Sequence, residues 1–196
     1  MTWAQLLLFL HVAAAIIWVG GGLMVQFFGI RAGMSGDPAR LGALGEDIEW
    51  IAKRVFIPSS VGAFLTGILL VVESDFYGFG DDWIVMGLLL YATTFLAGLL
   101  FLGPESGRIG ELMEHRSPEG GPRMLRLMMF VRLDLVLLFA IVYVMTVKPE
   151  IDSQAFLEGL LAAGIAVGLV YWRYKIALGQ PPPGPGPAVG TPSEPG

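Results

Sequence analysis

Apolar residues along this chain do not alternate with polar ones; they run on in long blocks. Five stretches, residues 3–30, 55–72, 83–102, 128–147 and 156–172, are dominated by apolar side chains. A bilayer core about 30 Å thick is crossed by roughly 20 apolar residues in a helix. Each block therefore predicts a spanning helix, and the fold class is all-α: a polytopic membrane helix bundle of five transmembrane helices. The first block carries no basic residue ahead of Arg31 and is longer than the apolar core of a secretory signal, so it is read as a retained helix.

Between the blocks the pattern changes. Asp37 and Pro38 have the character of an N-cap and first helical residue, with Leu41, Leu44, Ile48 and Ile51 following at helical spacing. This predicts a helix on the membrane surface leading into the second span. A second short helix is expected over residues 105–115, bounded by Pro104 and Pro118. Pro149 closes the fourth span. Residues 1–178 make up the bundle, and the Pro/Gly run of residues 179–196 reads as a disordered tail, because such a composition buries no core.

Charge orients the helices. Arg31, Arg40, Lys53 and Arg54 flank the first connection, Arg108, Arg116, Arg123, Arg126 and Arg132 surround the third, and Arg173 and Lys175 follow the fifth span. Only Lys148, of 12 Lys and Arg, falls on the other side. Such asymmetry marks the cytoplasmic face, which puts the N-terminus outside and the C-terminus in the cytoplasm. The outer connections are acidic, with Glu73, Asp75, Asp81 and Asp82 in one and Glu150, Asp152 and Glu158 near the next. They are read either as solvated loops or as a cation-collecting surface.

Composition sharpens the class. The chain is 55% hydrophobic and 15% charged, against about 25% charged in soluble domains, and its mean hydropathy is +0.68. A net charge of −5 excludes nucleic acid as a partner. The absence of cysteine removes thiolate metal sites and cysteine nucleophiles. The partner to expect is the lipid bilayer, with a homodimer or a larger membrane complex open; no residue set points to catalysis.

Candidate chemistry is confined to polar residues within the spans, because their burial in a membrane is costly. On the first helix His11, Ala15, Trp18, Gly22 and Gly29 share one face with Gln26 at its edge, whereas Phe9, Ile16, Leu23 and Phe27 share the other. His11 lies about 12 Å below the outer boundary, near the levels expected for Thr66 and Tyr91. Two readings stand for it. It is a neutral hydrogen-bonded core residue, or it is the ligand of haem b or copper, with Trp18 and Tyr91 beside the cofactor. Arg132 and Asp134 are about 200° apart around the fourth helix and cannot pair. Arg132 snorkels to the interface, while Asp134 faces the interior as a structural acceptor at the depth of Gln26 and Ser59 or Ser60, with Arg54 as a candidate partner. Gly164 and Gly168 form a G-x-x-x-G pair that either packs the fifth helix inside the protomer, the reading preferred here, or drives dimerisation. Met86 and Met145 are soft candidate ligands for copper.

The run His11-Val12-Ala13-Ala14-Ala15-Ile16-Ile17-Trp18-Val19-Gly20-Gly21 resembles the opening helix of CopD-type copper-resistance proteins and HemJ-type protoporphyrinogen oxidases. Over roughly residues 3–150 the chain is similar to an uncharacterised bacterial family of predicted integral membrane proteins. The likeness is carried also by Thr66-Gly67-Ile68-Leu69, by Gly103-Pro104, and by Met145 with Lys148-Pro149. The resemblance implies a multi-pass protein of the bacterial inner (plasma) membrane. HemJ-type enzymes carry a second membrane histidine and a lysine; here the second histidine, His115, falls in a connection.

Overall fold

The computed structural model describes residues 1–179 apart from Gly36 and Arg116, so most of the Pro/Gly tail lies outside the described residues. Seven α-helices follow one another: α1 (Trp3–Ser35), α2 (Pro38–Ile51), α3 (Ile57–Val72), α4 (Asp82–Ala97), α5 (Gly103–Glu114), α6 (Gly120–Val147) and α7 (Gln154–Gly179). Two π-helical turns, π1 (Ala52–Phe56) and π2 (Gly98–Leu102), join α2 to α3 and α4 to α5. No strand occurs among the described residues. Five helices are long and apolar enough to cross a membrane: Trp3–Ser35, Gly42–Val72, Asp82–Glu114, Gly120–Val147 and Gln154–Leu178.

The third span corrects the sequence reading. Pro104 does not close it; the helix runs on through π2 into α5. Each π turn ends two residues before a proline, Pro58 and Pro104. Proline has no N–H and its ring presses on the carbonyl four residues back. A bulge of one residue relieves that pressure, and the amides of Ile57 and Gly103 bond five residues back, to Ala52 and Gly98.

Helix α1 packs against α3 and α6, α6 against α4, and α7 against α6. Phe9, Ile16 and Phe27 face outward while Gln26 and Gly29 are buried. The tight core sits at the basic end of the bundle, where Val25 and Ala32 of α1 meet Leu44 and Ile48 of α2, Ile109 of α5, and Met124, Leu127 and Met128 of α6. The Asp37 side chain accepts from the Ala39 amide at 3.0 Å, as its N-cap position requires. Glycine lets α2 and α5 approach backbone to backbone: a Cβ at Gly45 would stand 3.0 Å from the Ser106 carbonyl oxygen and 3.3 Å from the Gly110 nitrogen. A carboxylate of α5, Glu105, binds Arg123 of α6 at 3.0 Å.

At the acidic end α6 stops at Lys148, the residue before Pro149, which takes a left-handed conformation with φ of 50°. The Lys148 ammonium lies 3.9 Å from the Tyr77 ring centre and 4.9 Å from that of Trp83. Tyr143 donates to the Ala155 carbonyl at 2.7 Å and ties α6 to α7. The assignment of Gly164 and Gly168 to internal packing is not what the structure shows. Nothing lies within 4 Å of a Cβ at either, and it is Gly159 that meets Tyr143.

Candidate functional site

Polar residues of the spans gather at two levels. Nearer the acidic end, the His11 Nδ1 lies 2.8 Å from the Ala63 carbonyl oxygen. A carbonyl only accepts, so Nδ1 carries the proton and the Nε2 lone pair is left available when the ring is neutral. The ring rests on Gly67, where a Cβ would stand 3.0 Å from Cε1. Thr66 Oγ1 is 3.4 Å from Nδ1 but donates its own proton to the Gly62 carbonyl at 2.6 Å. The expected level of Thr66 is thus met.

Tyr91 packs among aromatic rings of α1, α3 and α4. Its ring is stacked on Phe64 at 4.9 Å and on Phe95 at 5.6 Å, and meets Trp18 edge-on at 5.6 Å. Trp18 is seven residues, about 10 Å of helix, further in than His11. Trp18 and Tyr91 are brought together; Trp18 lies two turns along α1 from His11.

Below the aromatic cluster lies a cavity of about 390 Å³ between α1, α3, α4 and α6, which extends to both π turns. Trp18 and Gly22 border it from α1, Phe56 and Ser60 from π1 and α3, Thr94, Phe95 and Gly98 from α4 and π2, and Asp134 and Leu138 from α6. Glu49 and Lys53 stand at its basic end, bonded to each other. Much of the space exists because glycine stands at position 98, where a Cβ would meet nothing within 4 Å.

The Asp134 Oδ1 is buried and has no hydrogen-bond partner among the described residues. Arg54, proposed as its partner from sequence, instead sits over the Trp50 ring at 5.6 Å. The Gln26 Nε2 is the other buried side-chain atom without a partner among the described residues. Gly22 faces Leu135 and Leu138, and Gly29 faces Met128, so Gln26, between them on α1, falls opposite the turn of α6 that holds Asp134. Arg132 forms no ion pair among the described residues, in keeping with its placement a half-turn away. Met145 reaches Gly87 near the acidic end of the bundle. No group of three or more His, Asp or Glu side chains comes together among the described residues. Thr94 and Gly98 went unnoticed in the sequence, although a Thr and a Gly four apart on an apolar helix are a small, polar patch on one face.

These features define the class: a polytopic all-helical membrane protein with five spans and a mostly apolar cavity inside the bundle. The chain belongs to the family described as predicted integral membrane protein (DUF2269), which it matches over residues 5–149. No curated protein and no solved structure matches it. The likeness to CopD- and HemJ-type proteins thus rests on the first helix alone.

Proposed function

We propose that this is a non-catalytic, small-solute-binding component of the bacterial inner membrane, a permease component or accessory subunit, whose cavity admits a small molecule from the cytoplasmic end. The observation that carries this reading is the cavity itself: about 390 Å³, within the range of small-molecule sites, mostly apolar with a few convergent polar groups. Benzyl alcohol titrated into protein in phosphatidylcholine nanodiscs, followed by ligand-observed NMR, tests it. Binding above that of empty nanodiscs is expected, and Gly98→Phe, which fills the cavity, abolishes it. Equal signal in both proteins contradicts the reading.

The orientation proposed with it has the α2–α5 end in the cytoplasm, on the strength of the basic residues gathered there. In the cysteine-free chain, Gly78→Cys is expected to react with an impermeant thiol reagent in intact cells, and Glu114→Cys only after permeabilisation. The opposite pattern inverts the topology. Both positions are exposed.

A second reading keeps His11 as ligand to haem b or copper, with Trp18 and Tyr91 further in along the bundle. The bond from Nδ1 to the Ala63 carbonyl favours it, since ligating imidazoles are commonly oriented by such a bond. Within the protomer the residues supply one histidine ligand, so a second axial position is open or is filled by a Met, by Tyr91 or by His11 of another copy. A Soret band in protein from haem-replete cells, or bound copper, that His11→Ala removes and His115→Ala keeps supports this reading. Equal cofactor content in wild type and His11→Ala ends it.

A further inference from the structure

We propose that the cavity selects a small organic ammonium cation, held by Asp134; this rests on the reading of the cavity as a small-solute site. Asp134 borders the cavity from α6, and Ser60 and Thr94 border it from α3 and α4. Ser60 Oγ donates to the Ile57 carbonyl at 3.0 Å and Thr94 Oγ1 to the Tyr91 carbonyl at 3.1 Å. A hydroxyl has one proton, so neither is left to donate to the carboxylate. A carboxylate offers acceptors, and the Asp134 Oδ1 has no partner among the described residues.

No cation among the described residues meets this need. Lys53, at the cavity's basic end, is bonded to Glu49, and Arg54 lies over Trp50. Gln26 borders the same turn of α6 but is outside the cavity wall, and its Nε2 is itself without a partner. A buried unpaired carboxylate is costly. An ammonium group brings the positive charge and up to three donors that Asp134, Ser60 and Thr94 lack. The Trp18 and Phe95 rings, which also border the cavity, suit the apolar body of such a guest, and their faces attract its charge. An anion would meet only like charge and lone pairs.

The test compares three probes of one shape, benzylammonium, benzyl alcohol and benzoate, by ligand-observed NMR at pH 7 in zwitterionic phosphatidylcholine nanodiscs with empty discs as control. Benzylammonium is expected to bind about tenfold or more tightly than benzyl alcohol, as a charge-assisted hydrogen bond gives, and benzoate not at all. Asp134→Asn is expected to remove that preference and leave benzyl alcohol binding as in the wild type. If Asp134→Asn does not fold, the preference of the wild type decides alone. Equal affinity for amine and alcohol overturns the cation assignment while leaving the cavity as a solute site. Binding of neither probe overturns both.

Discussion

Gly45→Ala is expected to destabilise the bundle by about 1–3 kcal/mol, the usual cost of overpacking a filled interface. The added methyl would lie 3.0 Å from one backbone atom of α5 and 3.3 Å from another. Backbone within a helix cannot swing aside as a flexible side chain can. Helices α2 and α5 must separate, and Ser106 and Ile109, both fully buried, lose their seat. Alanine also favours a helix over glycine by up to about 1 kcal/mol, which offsets part of the loss. Gly33→Ala is the control, because nothing lies within 4 Å of a Cβ there, and it should be neutral or slightly stabilising. Thermal unfolding in detergent, followed by far-UV circular dichroism, distinguishes the two. A Gly45→Ala protein as stable as Gly33→Ala would show that α2 and α5 do not pack this closely.

Gly67→Val is expected to cost about 1–3 kcal/mol as well, by a different route: it expels the His11 ring from the Ala63 carbonyl and leaves a buried nitrogen unpaired. A Cβ at 67 would stand 3.0 Å from the ring's Cε1 and 3.2 Å from Nδ1. The two residues are coupled through the imidazole, so the cost should fall sharply in a His11→Ala background. Additive losses in the double mutant would mean that the ring does not rest on Gly67.

The spans were legible because long apolar blocks have few alternative readings in a chain with so little charge. So was the start of α2, since an Asp-Pro pair ahead of a helical apolar pattern satisfies the first amides of a helix in only one way. Depth was legible where two helices share a reference plane. Counting from the ends of their apolar blocks brought His11 to Thr66. Tyr91 meets that level through Phe64, next to Ala63, while its ring also reaches inward to Trp18, fifteen residues beyond Trp3.

The π turns were hidden for a physical reason. Pro104 signals a break in an isolated helix, but packing on both sides lets the chain absorb it as a one-residue bulge. Pro58 is absorbed in the same way. The cavity was hidden with them, since it is bordered by residues that look like ordinary packing when taken singly: Gly22, Ser60, Thr94 and Gly98. Asp134 stood out as an ionisable residue, but its lack of a partner is a property of the packed bundle and of the position of Arg54, which sequence spacing does not set.

Accessibility of position 98 tests the central claim most directly. The chain contains no cysteine, and Gly98→Cys adds a side chain where nothing lies within 4 Å of the Cβ. The thiolate is the reactive form of cysteine, so a water-soluble methanethiosulfonate labels it only where water or solute enters. The account predicts that the Gly98→Cys protein is labelled in its folded state, much faster than the Leu89→Cys protein, whose substituted residue is 65% exposed on the outer surface of α4 and faces lipid. Labelling at 98 no faster than at 89, with both sites reacting fully after unfolding, would contradict a solute-accessible cavity between the π turns.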